Sequence, residues 1–154
     1  MSERFGYYKA APAAMKTMDA MQDYVDGCGL EKPLLELVRL RASQINQCAY
    51  CVDMHSKDAR AAGETEQRLY MLSVWREAPC YTDRERAALA FTEAVTLLSE
   101  TNVPDAVYNQ AKAQFSNIEL VNLTMAIVLI NSWNRLCVTF RTPAGYYKPQ
   151  GVTA

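Results

Sequence analysis

The amino-acid sequence predicts an all-α protein, and three observations carry that prediction. No segment alternates strictly between apolar and polar residues, as a half-buried β-strand would. Apolar residues recur instead at a period of roughly 3.6 residues. Glycine, proline and capping signals divide the chain into periodic segments of helix length. At 154 residues, the chain is long enough to bury a hydrophobic core as one domain spanning residues 1–154.

Glycine and proline mark the predicted helices of the first half. Residues 1–12 form a predicted irregular arm whose aromatic side chains pack onto the rest of the protein. Gly27 ends the first helix, because glycine readily takes the left-handed conformation of a helix end. Pro33 opens the second, since a proline in the first turn loses no helical hydrogen bond. A break is predicted at Asn46-Gln47. The helices predicted here span about residues 13–26, 33–47, 48–62 and 66–75.

Two capping boxes mark helices of the second half. In Thr82-Asp-Arg-Glu85 and Ser116-Asn-Ile-Glu119, the hydroxyl can accept the backbone N–H three residues on, while the glutamate reaches back. The second box opens the most apolar helix, which we expect at the centre of the core. The predicted helices run over about residues 82–99, 104–115 and 118–137, and residues 141–154 form a predicted irregular tail.

Composition argues against a nucleic-acid or membrane partner. Sixteen basic and seventeen acidic residues give a formal net charge of −1, and no run of five lysines or arginines occurs. The N-terminus lacks the apolar segment of a signal peptide. The longest apolar stretch, Leu123–Ile130, is far shorter than the ~20 residues of a membrane span. We therefore expect a cytoplasmic protein.

Five cysteines are present, at positions 28, 48, 51, 80 and 137, and a cytoplasmic location predicts reduced thiols. Cys28, Cys80 and Cys137 stand among apolar residues and are interpreted as inert buried thiols. Cys48 and Cys51 form the only CxxC. In that compartment a CxxC indicates a redox or metal site.

The CxxC shares one helix face with His55, the only histidine of the chain. At about 100° per residue, Cys48, Cys51 and His55 fall within about 60° of one another. If the helix begins near Cys48, its unpaired N–H groups and its dipole favour the thiolate of that residue. The acids of this helix, Asp53 and Asp58, are expected to pair at the surface with Lys57 and Arg60.

Glu36 can join this face only if the chain folds back. Twelve residues separate it from Cys48, about 18 Å along a straight helix. We therefore predict a reversal near Asn46-Gln47 that lays two helices side by side. A carboxylate beside two thiols and an imidazole could then accept a proton in a relay. The hypothesis requires the Glu36 carboxylate to lie within about two hydrogen-bond lengths of the Cys51 sulfur.

The spacing Glu36-x11-Cys48-x2-Cys51-x3-His55 and its surroundings resemble a known family. They are similar to the alkylhydroperoxidase AhpD-like proteins, within the carboxymuconolactone decarboxylase superfamily. The resemblance covers roughly residues 5 to 148 and is specific in its spacing. It also includes the segments Leu40-Arg-Ala-Ser-Gln-Ile-Asn-Gln-Cys-Ala-Tyr-Cys51, Trp75-Arg-Glu-Ala-Pro79 and Ile130-Asn-Ser-Trp-Asn-Arg135.

The resemblance implies an AhpD-like helical domain, a homo-oligomer (a trimer or hexamer) and a cysteine peroxidase that uses no cofactor. It implies that Cys48 and Cys51 are the redox pair: one thiolate reduces a hydroperoxide and becomes a sulfenic acid, and the other thiol condenses with it to a disulfide. A lipoamide-type or thioredoxin-like dithiol would then reduce the disulfide, with Glu36 and His55 as the proton relay. Tyr50 stands where the best-known members carry a second histidine, and tyrosine is a poor proton acceptor.

Several alternatives stay open at the level of sequence. The helix dipole favours Cys48 as the attacking thiol, whereas Glu36 and His55 could activate Cys51. Other functions compatible with these residues are a general dithiol-disulfide oxidoreductase and a non-enzymatic helical assembly protein. A lactone decarboxylase is a further alternative, although that chemistry needs no CxxC. A zinc site would use Cys48, Cys51, His55 and Glu36 as ligands.

Overall fold

The computed structural model describes residues 2–149, and none of these residues lies in a β-strand. The predicted all-α fold is therefore confirmed. Residues 1 and 150–154 lie outside the described residues, so the single domain over 1–154 and the end of the irregular tail stay predictions. The described range contains a turn of 3₁₀ helix (Leu72–Val74) and the helices α1 (Tyr7–Ala10), α2 (Pro12–Asp26), α3 (Lys32–Ile45), α4 (Ala49–Ala61), α5 (Glu66–Met71), α6 (Asp83–Thr96), α7 (Leu98–Thr101), α8 (Asp105–Lys112) and α9 (Asn117–Phe140).

Helices α3 and α9 form the centre of the fold. Helix α3 packs against α4, α6 and α9, and α9 also contacts α2, α4, α6 and α8. Leu123, Ala126 and Ile127 of α9 are fully buried, together with Val38 of α3. Burying a large apolar side chain contributes about 1.5–3 kcal/mol to folding. The expected central position of α9 holds for one face only, because Val121 on the opposite face is exposed.

Helix α9 is long and apolar enough to cross a membrane, judged by length and composition alone. The core helix of a globular protein meets the same two criteria. Since α9 packs against five other helices, these criteria are weak evidence for a membrane span.

Both predicted capping boxes are present. The Thr82 hydroxyl accepts the N–H of Glu85, whose carboxylate accepts the Thr82 N–H at 2.8 Å. Ser116 and Glu119 make the same pair of bonds, with the Ser116 N–H 2.8 Å from the carboxylate. These bonds satisfy backbone donors that a helix start would otherwise leave unpaired. They define where α6 and α9 begin.

The N-terminal arm is partly helical, contrary to the prediction. Residues Tyr7–Ala10 form α1, and Pro12 occupies the first position of α2, where its missing N–H removes no helical bond. The aromatic side chains of the arm do pack onto the rest of the protein, as expected. The rings of Phe5 and Phe140 lie 4.7 Å apart between centroids.

Four helix ends also differ from the prediction by three residues or more: α5 ends at Met71 and α8 at Lys112, four and three residues early. Helix α6 ends at Thr96, three residues early, and α9 ends at Phe140, three residues late. The Thr101 hydroxyl donates to the Ala94 carbonyl at 2.7 Å. In a longer α6, the Ala94 carbonyl would accept the N–H of Leu98 four residues later. The Thr101 hydroxyl takes that place. The last turn of α9 is stabilised by the contact of Phe140 with the arm.

The chain reverses at Gln47, which confirms the predicted break between α3 and α4. Gln47 has a φ of +54°. Its N–H donates to the Gln44 carbonyl at 3.2 Å, and the Cys48 N–H donates to the Ser43 carbonyl at 3.0 Å. This pair of bonds is the Schellman ending of a helix, in which one left-handed residue turns the chain away from the helix axis. The ending of α3 therefore also places Cys48 at the start of α4.

Asparagines of α9 hold this reversal from the other side. The Asn46 amide donates to the side-chain oxygens of Asn131 and Asn134, each at 2.9 Å. The Asn134 amide in turn donates to the Ser43 hydroxyl at 3.0 Å. Asn134 is only 1% exposed, so these bonds satisfy a polar group that would be costly to bury alone. The reversal is thus fixed to the central helix.

Candidate active site

Cys48 occupies the N-cap of α4, in agreement with its predicted place at a helix start. Its sulfur accepts the N–H of Cys51 at 3.4 Å and therefore faces the positive end of the helix. Cys48 and Cys51 are disulfide-bonded, with Cα atoms 5.3 Å apart. Their exposed fractions are 1% and 3%. The fold holds both thiols within bonding distance and shields them from bulk water.

Glu36 lies beside His55 across the reversal. One Glu36 oxygen is 2.9 Å from Nδ1 of His55, and the other accepts a hydrogen bond from Arg39 at 2.7 Å. His55 and Arg39 are both buried. Arg39 also pairs with Asp26 at 2.5 Å. A chain of hydrogen-bonded polar groups therefore links α2, α3 and α4.

The two partners of Glu36 decide its charge. Burial by itself raises the pKa of a carboxyl group. At Glu36, the hydrogen bond from His55 and the positive charge of Arg39 outweigh burial and hold the pKa below its ordinary value. An ionised carboxylate only accepts hydrogen bonds, so Nδ1 of His55 carries the proton. The other imidazole nitrogen, Nε2, is then left as a proton acceptor.

A cavity of about 360 Å³ opens at this pair. Cys51, His55 and Glu36 line it together, whereas Cys48 is not among the described residues of its wall. Of the two disulfide-bonded cysteines, Cys51 is therefore the one that contributes to the cavity wall. The aromatic part of the wall consists of Tyr7, Tyr8, Tyr50 and Trp133.

Comparison with known proteins places the chain in a family. Residues 12–94, just over half of the sequence, match the sequence model of the carboxymuconolactone decarboxylase family. The chain belongs to that family. The uncharacterized protein YdfG of Bacillus subtilis (strain 168) is 42% identical over 138 residues, which cover 90% of this chain and 94% of YdfG.

Solved structures add that this member of the carboxymuconolactone decarboxylase family is AhpD-like. ATU0492 from Agrobacterium tumefaciens, a protein of unknown function provisionally described as an antioxidant defence protein AhpD, superposes with a TM-score of 0.92 at 46% identity. The match covers 95% of this chain and all of that one. The debrominase Bmp8 has a TM-score of 0.81 at 16% identity, covering 90% and 74% of the two chains. At that identity the likeness concerns the fold alone.

A third cysteine adjoins the CxxC of this family member, which the sequence did not indicate. The sulfurs of Cys48, Cys51 and Cys137 lie within 4.8 Å of one another. Cys137 is buried, as predicted, and its sulfur is 3.6 Å from the Tyr7 hydroxyl. No local pattern could place Cys137 there, because it reaches the CxxC only through the packing of α9 against α4.

The remaining two cysteines are only partly buried, contrary to the prediction. Cys28 packs at the edge of the core between α2, α3, α6 and α9, and Cys80 packs at the edge of a second apolar cluster around Trp75. Both residues lie in connections between helices. Such segments run over the surface, where water can solvate their backbone groups.

Asp58 belongs to the site, although the sequence suggested a surface ion pair with Arg60. It accepts the Tyr147 hydroxyl at 2.8 and 3.0 Å, and burial raises the pKa of its carboxyl. Arg60, only two positions later, lies on a different helix face and pairs with an acid of α5. The other predicted pair, Asp53 with Lys57, is confirmed at 2.8 Å.

Two groups of potential metal ligands exist among the described residues. The CxxC sulfurs with Cys137 form one, and Glu36, His55 and Asp58 form the other; in each, the ligand atoms lie within 4.8 Å of one another. The zinc ligand set considered from the sequence is divided between these two groups. The Glu36 oxygens are already engaged by His55 and Arg39, which neutralises much of the charge that a cation would require.

Proposed function

We propose that this protein is a thiol-dependent peroxidase in which Cys51 attacks a hydroperoxide and Cys48 closes the disulfide. The observation that carries the proposal is the different placement of the two cysteines: Cys51 lines the cavity, whereas Cys48 caps α4 and is not among the residues described in the cavity wall. An attacking thiol needs access to the substrate and to a base, whereas a resolving thiol needs only to reach its partner. The similarity to ATU0492, which is provisionally described as an antioxidant defence protein AhpD, supports the proposal.

His55 is the base of the proposed relay, and Glu36 orients it. Residues four positions apart are neighbours on a helix, so His55 stands next to Cys51 on α4. Glu36 accepts the proton of Nδ1, which leaves Nε2 to take the thiol proton of Cys51. The N-terminal end of α4 further favours the thiolate over the thiol.

The proposed reaction is a balanced two-electron exchange. The Cys51 thiolate attacks the terminal peroxide oxygen, so that an S–O bond forms and the O–O bond breaks. The alkoxide leaves as an alcohol with the proton held by His55. The Cys48 thiolate then attacks the sulfenic sulfur of Cys51, forming the disulfide and releasing hydroxide, which is protonated to water. The peroxide is reduced and the dithiol is oxidised.

The cavity favours an organic hydroperoxide with an apolar or aromatic substituent. A volume of about 360 Å³ and a wall of four aromatic rings suit such a group. A dithiol of the lipoamide or thioredoxin type would restore the thiols by exchange at Cys51. The proposal includes a homo-oligomer, a trimer or hexamer, that works in the cytoplasm without a cofactor.

Hydroperoxide consumption by purified variants tests this proposal. The reduced protein is expected to consume cumene hydroperoxide and to form the Cys48–Cys51 disulfide, and Cys51→Ser is expected to lose turnover entirely. His55→Ala is expected to lower the rate by roughly 10²–10⁴-fold, the usual contribution of a general acid–base group. Cys28→Ser removes a distant thiol and is the matched control with an unchanged rate. Undiminished turnover by Cys51→Ser would refute the proposal.

Three further measurements separate the rival functions. Reduction of a small aromatic disulfide without consumption of hydroperoxide would indicate a general dithiol-disulfide oxidoreductase. Release of bromide from 2,3,4-tribromopyrrole would indicate the activity named for the fold relative Bmp8. Stoichiometric zinc retained through dialysis would indicate a metal site and contradict the peroxidase proposal.

A further inference from the structure

Cys137 is a buried thiol that the proposed reaction leaves unused. It lies near the end of α9, across from the N-cap of α4. Its sulfur is within 4.8 Å of both sulfurs of the CxxC, and 5% of the residue is exposed. A sulfur held this close to a reactive cysteine is a candidate partner for a disulfide with it.

The position of Cys137 differs from that of the other two free cysteines. Cys28 and Cys80 lie in helix connections and pack against other apolar clusters. Cys137 instead forms one buried cluster with Cys48 and Cys51, covered by the ring of Tyr50. The fold therefore gathers three of the five cysteines at a single place.

Cys137 shares the cavity with Cys51. Both residues line its wall, so each can be reached from the position where Cys51 would meet a peroxide. The Tyr7 hydroxyl stands 3.6 Å from the Cys137 sulfur. Burial, followed by the contact with Cys137, raises the pKa of Tyr7, so the phenol stays protonated at neutral pH. It is then a proton donor for the Cys137 sulfur whenever that sulfur is a thiolate.

We propose that Cys137 is a third redox thiol, which forms a disulfide with Cys51 and resolves its sulfenic acid alongside Cys48. In this step, which rests on the proposed peroxidase function, the Cys137 thiolate attacks the sulfenic sulfur of Cys51. An S–S bond forms, the S–O bond breaks, and the hydroxide leaves as water after taking up a proton. The peroxide has already supplied the oxidising equivalent, so no other oxidant is needed.

Exchange then returns the disulfide to the CxxC. The Cys48 thiolate attacks Cys51 in the Cys51–Cys137 bond, the Cys48–Cys51 bond forms, and the Cys137 thiolate leaves. No electrons are gained or lost in this step. Cys137 therefore offers a second route that traps the sulfenic acid before another peroxide oxidises it to the irreversible sulfinic acid.

Disulfide mapping of Cys48→Ser tests the inference. One equivalent of tert-butyl hydroperoxide, followed by alkylation and non-reducing peptide mass spectrometry, is expected to show a Cys51–Cys137 disulfide. Cys48→Ser/Cys137→Ser is expected to lose that bond and to accumulate sulfenic and sulfinic acid at Cys51. The matched control Cys48→Ser/Cys28→Ser should keep the bond. A Cys48→Ser protein in which Cys51 remains a sulfenic or sulfinic acid overturns the inference.

A second oxidant separates this inference from the peroxidase proposal. Diamide oxidises neighbouring thiols to a disulfide without any peroxide chemistry, and it is expected to form the same Cys51–Cys137 bond in Cys48→Ser. If the wild type does not react with hydroperoxide but diamide forms this bond, the peroxidase proposal fails together with the resolving role of Cys137, and only the Cys51–Cys137 disulfide stands. If hydroperoxide oxidises the wild-type CxxC but neither oxidant links Cys51 to Cys137, the inference alone fails. Cys137→Ala replaces Cys137→Ser if circular dichroism shows that the serine variant is unfolded.

Discussion

Gln47 is the residue on which the geometry of the site depends most directly. It joins α3, which carries Glu36, to α4, which carries His55, and its φ of +54° lies in the left-handed region. A residue with a Cβ atom costs about 1–2 kcal/mol in that conformation. The packing of α4 on α3, which this turn makes possible, offsets the cost. Without it, the carboxylate and the imidazole would lie far apart on one long helix.

Substitution of Gln47 should reveal this local strain. Gln47→Gly is expected to leave the free energy of unfolding unchanged or to raise it by up to about 1 kcal/mol, because glycine adopts positive φ without a steric penalty. Gln47→Val is expected to lower it by more than about 1 kcal/mol, since β-branched residues are strongly disfavoured there. Denaturation with urea measures both values.

The control for this prediction is Gln67→Val, on the exposed surface of α5. A valine at an ordinary helical position should cost no more than about 0.7 kcal/mol relative to the best helix formers. Equal losses at positions 47 and 67 would show that backbone strain at the reversal is not the cause.

At the scale of elements, α9 both forms part of the core and positions residues of the candidate active site. Its buried face forms the core, its asparagines hold the α3–α4 reversal, and its last turns bring Cys137 to the CxxC. The capping box at Ser116 determines where this helix starts. Loss of the cap would leave backbone donors of the first turn unpaired and weaken the helix that carries all these side chains.

Removal of the α9 cap is expected to destabilise the whole protein by about 1 kcal/mol. Ser116→Ala deletes the hydroxyl that accepts the Glu119 N–H, and losses of 0.5–2 kcal/mol, roughly, are typical of N-cap substitutions. Thermal and urea denaturation measure the loss. Thr17→Ala, on the exposed face of α2, should change stability by less than about 0.5 kcal/mol. A larger effect at residue 17 than at residue 116 would contradict the capping role.

At the scale of the whole molecule, the buried charges of the site make the stability of the protein depend on pH. Glu36 pairs with His55 and Arg39, and Arg39 also pairs with Asp26. Burial raises the pKa of both carboxyls, but the hydrogen bonds from His55 and Arg39 to Glu36, and from Gln22 and Arg39 to Asp26, outweigh it and hold both pKa values below the ordinary value. A carboxyl whose pKa is lowered by folding stabilises the protein above its unfolded pKa, and this stabilisation disappears as the pH falls through the folded pKa.

The Glu36→Gln variant should therefore show a weaker dependence of stability on pH. The unfolding free energy of the wild type is expected to fall as the pH drops below the ordinary carboxyl pKa of about 4.3, because protonation of Glu36 removes its pairing with His55 and Arg39. Glu36→Gln lacks these pairs at every pH, so it should be less stable than the wild type at pH 7, and the difference should shrink towards pH 3. Denaturant titrations at several pH values measure this difference.

Glu77→Gln serves as the control for the pH experiment. Glu77 is exposed on the connection before α6. Its variant is expected to follow the wild-type curve throughout the acidic range. A constant difference between Glu36→Gln and the wild type from pH 7 to pH 3 would contradict a role for Glu36 ionisation in stability.

Much of this molecule could be predicted from residues that are close together in the sequence. The two capping boxes, the end of α2 at Gly27 and the spacing of Cys48, Cys51 and His55 each depend on bonds within one or two helical turns. The left-handed conformation expected at Gly27 is wrong, because its φ is −100°. Even the break at Gln47 was visible as a weak point in the helical pattern. Whether the arm would fold into a helix was not predictable in this way, because its contacts are with the distant end of α9.

The sequence by itself therefore determined the all-α fold, the starts of the main helices and the face that carries the CxxC with His55. Only the tertiary structure decided which of these thiols faces the cavity, that Cys137 joins them, and that Asp58 turns inward to Tyr147 instead of pairing with Arg60. The physical reason is the range of the interactions. Helix periodicity and capping act over about four residues, whereas the neighbours of a side chain across a core depend on how all the helices pack together.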